Sequence, residues 1–285
     1  SQLNLFAATT MPGKRGKITC TIDVEGKNDC LNTNLGWVVD REGQYNGNIN
    51  FTTALGRVNE TNKLMSTITV NPTICVFNDT TWNVHSSKIG IYNKTIRVDD
   101  LKVTSDDQFV WIDGRSTPEG NENINVELKN INLDYIFDIL QINNVVFGGN
   151  ATGKAIASNI LSKTPKLETE NLYVENFSYN KSLLGNADLK SFWDNDNKFV
   201  AIQALVEQPN GKNSIVDGEI YPTKDSLRFD FTAEKLNAGF MKPFLSSISS
   251  DVDGLATGHV RLFGTFNKLD LSGDVFVEDL KFKVD

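Results

Sequence analysis

The sequence predicts an all-β fold in which an antiparallel sheet repeats along an elongated body, in a solenoid-like stack with two short amphipathic helices. Apolar and polar residues alternate with a period of two through most of the chain, which is typical of strands with one dry and one wet face. A long stretch beginning at Gly149 returns at Gly254 with the same layout. Turn residues recur about every 8 to 12 positions, as in stacked and barrel-like β proteins.

The repeat is visible at the level of single residues. Ala151-Thr152-Gly153 returns as Ala256-Thr257-Gly258, and Asp113-Gly114 returns as Asp217-Gly218. The repeating unit is therefore about a hundred residues long. Such self-similarity is typical of architectures in which each unit packs mainly on its neighbours.

The repeat suggests three consecutive segments in one continuous body without a flexible linker. Residues 1–70 form an N-terminal β segment of the same stack. Residues 71–185 form a repeat unit with a short helix near 132–141. Residues 186–285 form the second unit, with its helix near 234–245.

The two helices are predicted from apolar spacing. Leu133, Phe137 and Leu140 keep the three- and four-residue steps of one helix face, with Asn132 as the N-cap. In the second copy, apolar residues from Leu236 follow at four-residue steps, and a proline near the end favours termination. Helices this short need packing on the sheet for stability.

The other strands are predicted from the alternation of apolar and polar residues. Ile18, Cys20, Ile22 and Val24 point one way, and a turn follows at 26–29. Further strands are predicted at 35–39, 49–51, 68–70, 73–77, 82–84, 88–92, 95–98, 101–103 and 108–112, and turns at 40–43, 78–80, 92–94, 105–107, 193–198 and 208–213.

Composition excludes several classes of function. The formal net charge is −8, so binding to a phosphate backbone is not expected. The three cysteines and two histidines lack the spacing of a zinc site, and no cofactor is expected. Cys20 and Cys30 are interpreted as small buried side chains, with pairing across neighbouring strands as the alternative. No apolar run approaches the roughly 18 residues of a membrane span.

No stretch predicts an enzyme. The chain has no nucleophile elbow, glycine-rich phosphate loop or HExxH helix. Asp113 and Asp217 are interpreted as turn residues, although paired carboxylates could serve glycoside hydrolysis. The acidic pair Asp194 and Asp196 lacks the remainder of a calcium loop and is interpreted as a solvated turn.

The segment GLATGHVRLFGTFNKLDLSGDVFVEDLKFKV, from Gly254 to Val284, follows the helix LNAGFMKPFL and the strand SLRFDF. With the stretch from Thr81 to Gly114, this arrangement resembles the TamB family of bacterial envelope proteins, in the form found in Bacteroidetes. The resemblance covers about residues 68–285. It is a pattern of glycines, strands and a helix and contains no set of catalytic residues.

The resemblance implies an interior piece of an AsmA/TamB-like periplasmic protein, whose antiparallel β-sheet curls into a β-taco. The parent would have an inner-membrane anchor helix outside this fragment, and would meet an outer-membrane assembly protein at its missing C-terminal end. The implied role is outer-membrane biogenesis, in which an apolar groove shields phospholipid acyl chains between the two membranes. The family is also linked to assembly and secretion of outer-membrane proteins.

The repeated apolar positions are the candidates for lining such a groove. They are Ile124, Val126, Leu128, Leu172, Val174, Phe177, Tyr179, Leu227, Phe229, Phe231, Val275, Val277, Leu280 and Phe282. A dry strand face also fits an ordinary sandwich or β-helix core, and alternation alone does not separate the two.

Two rival functions remain at this point. The first is a scaffold that binds glycan or protein through exposed aromatic residues such as Trp82, Trp111 and Trp193, with a sealed core and no transport role. The second is a β-helical polysaccharide enzyme, which would require acidic residues clustered in three dimensions.

Overall fold

A computed structural model describes residues 2–13, 16–40, 45–58, 62–77, 79–133, 147–161, 166–194, 196–245, 251–266 and 268–283. The described residues form nineteen strands and little else, and every pairing described is antiparallel. The prediction of an all-β, antiparallel fold is therefore confirmed.

The strands are β1 (Gln2–Gly13), β2 (Gly16–Lys27), β3 (Cys30–Asp40), β4 (Asn46–Arg57), β5 (Leu64–Val70), β6 (Thr73–Phe77), β7 (Thr80–Val84), β8 (Ser87–Tyr92), β9 (Thr95–Ser105), β10 (Gln108–Ser116), β11 (Ile124–Asn132), β12 (Phe147–Ser158), β13 (Lys166–Tyr179), β14 (Ser182–Asp194), β15 (Phe199–Glu207), β16 (Asn213–Tyr221), β17 (Ser226–Asn237), β18 (Asp251–Thr265) and β19 (Lys268–Lys283). Short 3₁₀ turns occupy Pro222–Lys224 and Ala238–Met241, and one α-helical turn occupies Lys242–Leu245.

The chain divides into two compact units. Unit 1 contains Ser1–Lys129 and Ile156–Pro165, and unit 2 contains Asn130–Ala155 and Lys166–Asp285. The three-segment organisation expected from the sequence stays a prediction.

Unit 1 is a meander in which each strand pairs with the next. β1, β2, β3 and β4 follow in order. β5 and β6 then act as one interrupted strand, since Phe51 of β4 pairs with Val70 and Gly47 pairs with Cys75. The interruption falls at Asn71-Pro72, because proline cannot donate to the ladder. β7 and β8 return as a second interrupted strand, and β9 to β11 complete the unit.

Unit 2 is a second meander, and it curls back on itself. β13 to β19 pair consecutively. Four strands, β13 to β16, separate β12 from β17 in the sheet. The ring of Phe147 on β12 nevertheless lies 6.0 Å from that of Phe229 on β17. Phe147 also contacts Phe177 and Tyr179 on β13. These contacts close the dry face around one hydrophobic core.

Bulges in the middle of strands recur in both units. Asp100, Asn130, Asn176 and Lys235 have left-handed backbones inside strands, with φ between 52° and 54°. The backbone N–H of each donates to a side chain of a neighbouring strand, and the acceptors are Asp113, Thr152, Asn186 and Thr257. A bulge bends and twists a strand, so these positions curve the sheet.

Two sequence predictions are corrected here. Asp113 and Asp217 are not turn residues: Asp113 lies in β10 and supports the bulge at Asp100 of β9, and Asp217 lies in β16 opposite Asp230. Aspartate-glycine pairs favour turns, but Asp217 pairs with both neighbouring strands, and Asp113 pairs with Asn125 of β11 while it faces the bulge of β9.

The second predicted helix, near 234–245, is also wrong in its extent. Residues 234–237 end β17, and only the 3₁₀ turn at 238–241 and the α-helical turn at 242–245 follow. The four-residue spacing reflects Leu236 and Phe240 entering the same core from a strand end and a turn. The first predicted helix, near 132–141, falls mostly on residues 134–146, outside the described residues.

Candidate functional site

One face of β1 to β5 in unit 1 is apolar and open to solvent. Residues directly opposite each other on antiparallel strands share a face. The register aligns Leu5, Val24, Thr33, Phe51 and Val70 in one row across the five strands. The neighbouring rows extend this surface, called here the open face: Leu3, Leu5, Ala7, Met11, Ile18, Ile22, Val24, Leu31, Leu35, Trp37, Val39, Ile49, Phe51, Leu55, Leu64 and Ile68.

The exposure of these side chains separates this surface from a core. Leu3 is 51% exposed, Leu5 49%, Leu35 38% and Leu64 58%. The side chains that define the open face are exposed or partly exposed, whereas Thr33 and Val70 of the central row are buried, with 8% and 7% exposure. Large contiguous apolar surfaces of this kind mark binding sites more often than scattered exposed side chains do.

The opposite face of the same strands is polar. β2 presents Thr19, Thr21, Asp23 and Glu25 there, and β3 and β4 add asparagines such as Asn34 and Asn50, which pair across the strands. A polar cleft lies on this side, lined among others by Asp23, Glu25, Asn32, Asn34 and Asn50. The five strands are thus strongly amphipathic, with only one face suited to hydrocarbon.

The dry face of unit 1 continues through the later strands, where it becomes covered. Val98 on β9 pairs with Gly114, and Gly114 pairs with Ile124 on β11. Val98 and Ile124 are buried, as are Trp82 and Val84 on β7. The predicted residues Ile124, Val126 and Leu128 therefore lie on the same side of the sheet as the open face. They belong to the part of that side where side chains are buried or partly buried.

Most of the other predicted lining residues form the packed core of unit 2. Val174, Tyr179, Leu227 and Phe229 are buried there. Five more pack against them while partly exposed: Leu172, Phe177, Phe231, Val275 and Val277. Leu280 instead points to solvent and is 53% exposed. The side chain of Phe282 lies outside the described residues.

The residues of the open face are not among the predicted lining residues, because those are the apolar positions of the sequence repeat. The repeat matches positions after about residue 110, whereas Leu3, Leu5, Leu35 and Leu64 precede it. The sequence signal for this face was the alternation along β1, where Leu3, Leu5 and Ala7 occupy every second position. Alternation does not reveal whether a second layer covers the strand face.

Cys20 and Cys75 lie on the open-face side of unit 1, whereas Cys30, opposite Ala54, lies on the polar side. Cys20 lies opposite Trp37, and Cys75 lies opposite Gly47 and Trp82, so Cys20 and Cys30 do not pair with each other. Cys75 is buried, and desolvation raises the pKa of its thiol above the ordinary value. The thiols are free, and only Cys75 fits the description of a small buried side chain.

The features needed by the rival functions are mostly missing from the described residues. Trp82 and Trp193 are buried, so the expectation that they form an exposed aromatic patch is wrong. Trp111 donates its indole N–H to Asp100 at 2.7 Å. In the part of the chain that the structure describes, no three acidic, cysteine or histidine side chains are grouped as metal ligands, and no helix is long and apolar enough to cross a membrane.

The turn between β14 and β15 shows why Asp194 resembles a ligand in sequence. Its Oδ1 accepts backbone N–H groups of Asp196 and Asn197, each at 2.8 Å, and its Oδ2 accepts the side-chain amide of Asn197 at 3.1 Å. These hydrogen bonds, first the backbone one from Asn197, lower the pKa of Asp194 from its ordinary value. The carboxylate stabilises the turn.

Comparison of the chain with protein-family models, with curated proteins and with solved structures finds no match.

Proposed function

We propose that this chain is part of a periplasmic, TamB-like protein of the cell envelope, and that it shields lipid acyl chains between the inner and outer membranes. The observation that carries the proposal is the open face of β1 to β5, whose aliphatic side chains stay half exposed above a polar opposite face. The resemblance of residues 68–285 to the family supplies the compartment and the wider role in outer-membrane biogenesis.

The energetics favour hydrocarbon as the ligand of this surface. Each methylene of an acyl chain gains about 0.8 kcal/mol on leaving water. Partly exposed side chains such as Leu5, Leu35 and Leu64 would gain in the same way when a chain covers them. Among the described residues of this face, the one charged side chain is Arg57, which lies at its margin opposite Leu64 and donates to the carbonyl of Asn62.

The dimensions of the open face also suit an acyl chain. A twelve-residue strand such as β1 extends about 40 Å at roughly 3.3 Å per residue. One leaflet of a bilayer core is about 15 Å thick. A lipid tail lying along the strands would therefore be covered over its full length.

The membrane anchor and the protein partner in this proposal come from the resemblance to the TamB family. The parent protein would reach the inner membrane through an anchor helix elsewhere in its chain and meet an outer-membrane assembly protein at its other end. The chain itself would act without a cofactor and without catalysis, as a surface along which tails stay out of water. Assembly of outer-membrane proteins belongs to the same proposed role.

A pair of substitutions on one strand tests the proposal. Leu35→Asp places a charge on the open face, and Val38→Asp makes the same kind of change on the polar face of β3, where Val38 is 57% exposed. Each purified protein is incubated with vesicles of radiolabelled phosphatidylcholine, separated by flotation, and counted for bound lipid. Circular dichroism melting verifies that both variants are folded.

We expect the parent and Val38→Asp proteins to carry lipid and Leu35→Asp to carry at least several-fold less. Equal lipid on both variants would contradict the proposal, since the charge on the apolar face would then have no effect. Lipid on none of the three proteins would contradict it as well.

A binding module for glycan or protein is the second candidate. Its supporting observation is the core of unit 2, where Phe147, Tyr179 and Phe229 pack together and leave the dry face covered. A module of this kind predicts that the open face binds no lipid. The same flotation experiment therefore separates the two functions.

A further inference from the structure

The polar face of β2, β3 and β4 holds two adjoining clefts in the interior of the sheet. Each of these strands is paired on both sides. The first cleft, which contains Asn34 and Asn50, has a volume of about 390 Å³. The second has a volume of about 380 Å³, and its lining includes Thr19, Thr21, Gly36, Val38, Asn46, Asn48 and Ile74. The clefts are neighbours, because Gly36 and Asn48 form the next same-face pair beside Asn34 and Asn50.

This face is rich in asparagine, which is depleted in strands because its side chain competes with the backbone for hydrogen bonds. β3 and β4 nevertheless place five asparagines on one face: Asn32, Asn34, Asn46, Asn48 and Asn50. Elsewhere in the chain asparagine supports a left-handed backbone, as at Asn93 and Asn180 between paired strands. None of the five on this face has a left-handed backbone. Turn and bulge geometry therefore does not explain their presence.

The hydrogen-bonding groups of the first cleft are largely unused within the chain. Thr52 donates its hydroxyl to Oδ1 of Asn32 at 3.1 Å. Asn34 and Asn50 lie directly opposite each other, yet among the described residues neither amide has a hydrogen-bond partner. The two carboxylates that β2 contributes to the cleft likewise have no hydrogen bond or ion pair there. A ladder that served only the sheet would bond these groups to one another, so they are available to a ligand.

We propose that these two clefts bind an uncharged oligosaccharide. Neighbouring sugar hydroxyls both donate and accept hydrogen bonds, and an asparagine amide offers two donors and an acceptor to them. Carboxylates such as those of Asp23 and Glu25 accept hydroxyl protons at either oxygen. Val38 and Ile74, which are 57% and 60% exposed, flank the second cleft and gain by covering the C–H faces of sugar rings.

The length and the charge of this surface narrow the ligand further. From Asn32 to Val38, β3 extends about 20 Å at roughly 3.3 Å per residue, which accommodates several sugar rings in line. Asp23 and Glu25 repel an anionic polysaccharide, and the lining of the two clefts includes no lysine or arginine to offset them. The site lies on the side of the sheet opposite the open face, so it goes beyond lipid shielding and does not depend on it.

Calorimetric titration of the whole chain tests the inference. The probes are cellohexaose, chitohexaose and mannohexaose, which are neutral, and a hexamer of galacturonic acid, which is anionic. Asn34→Ala and Asn50→Ala each remove one amide from the first cleft. The matched control is Asn125→Ala on β11, an exposed asparagine of unit 1 outside both clefts. Circular dichroism melting verifies that all variants are folded.

The parent and Asn125→Ala proteins are expected to bind at least one neutral hexasaccharide. Asn34→Ala and Asn50→Ala should bind it about tenfold more weakly, the order expected for one or two lost hydrogen bonds. The anionic hexamer should bind more weakly than the neutral one.

A folded parent that binds none of the neutral hexasaccharides overturns the inference. Equal affinities of the parent and both cleft variants, or an anionic hexamer that binds as tightly as the neutral one, overturn it too. Lipid flotation is scored separately on the same parent protein. Lipid without sugar would leave the proposed function standing and overturn this inference, and sugar without lipid would do the reverse.

Discussion

The hydroxyl of Thr257 on β18 accepts the backbone N–H of Lys235 on β17 at 3.0 Å. Thr152 on β12 accepts the N–H of Asn130 on β11 in the same way, at 2.9 Å. Lys235 and Asn130 both have left-handed backbones, with φ of 54° and 53°. The sequence repeat of Ala-Thr-Gly is therefore a structural repeat: each copy supports a bulge at the matching position of the preceding strand.

Removal of the Thr257 hydroxyl tests the importance of this support. We expect Thr257→Val to destabilise the protein by about 1 kcal/mol, because the N–H of Lys235 loses its acceptor. Thr152→Val should lower the free energy of unfolding by a similar amount. Urea unfolding followed by circular dichroism measures both effects. Thr257→Ser and Thr152→Ser keep the hydroxyl and serve as controls, and valine variants as stable as the serine ones would refute the role of the bulge contact.

The glycine after each threonine gives a second prediction. Gly153 and Gly258 have φ of 155° and 146°, and a Cβ at either would meet a backbone carbonyl of the next strand, that of Asn171 or Asp274. We expect Gly153→Ala and Gly258→Ala to cost at least about 1–3 kcal/mol from backbone strain alone. Gly56→Ala is the control, since its Cβ would meet nothing within 4 Å. Equal stabilities of all three variants in urea would show that these glycines are not required.

Phe229 and Leu280 separate a core position from a surface position among the repeated apolar residues. Phe229 is 7% exposed and lies against Phe147, whereas Leu280 is 53% exposed. Phe229→Ala should destabilise the protein by about 3–5 kcal/mol, the usual cost of a large core truncation. Leu280→Ala should change the free energy of unfolding by less than about 0.5 kcal/mol. Comparable losses for the two variants would contradict the packed core of unit 2.

The carboxylate of Asp194 predicts a pH dependence. Hydrogen bonds, led by the backbone N–H of Asn197, lower its pKa in the folded protein. The stabilisation of the turn is therefore fully present above the ordinary aspartate pKa and is lost as pH falls through the lower folded value. Carbon-detected NMR titration should place the midpoint of Asp194 below the ordinary range. Asn197→Ala keeps the backbone N–H and removes only the side-chain amide; it should raise that midpoint, and an unchanged midpoint would mean that the side-chain amide does not hold the carboxylate.

Much of the fold could be predicted because alternation is a local signal. Strands such as Thr73–Phe77 were expected with the bounds that the structure has. Asp113-Gly114 was misread because the dipeptide suits a turn, and only the partner strand shows that Asp113 instead supports the bulge at Asp100. The helix near 234–245 failed because Leu236 belongs to the end of β17, beyond a bulge at Lys235 that shifts the alternation.

The candidate site was harder to predict, because exposure depends on the whole sheet. Leu35 and Phe229 have equivalent patterns along their strands, yet one is open and the other is packed against Phe147. The difference comes from curvature, which in unit 2 brings β12 against β17. No local pattern contains that information.

Photocrosslinking tests the central claim most directly. A photoreactive amino acid replaces Leu35 on the open face, Asn34 on the polar face, or Phe229 in the core of unit 2, and each protein is irradiated with vesicles containing radiolabelled phospholipid. The proposed function predicts label on the protein substituted at 35 and little at 34 or 229. Label at 34 equal to that at 35, or no label at 35 in a folded protein, would contradict a lipid-shielding role for the open face.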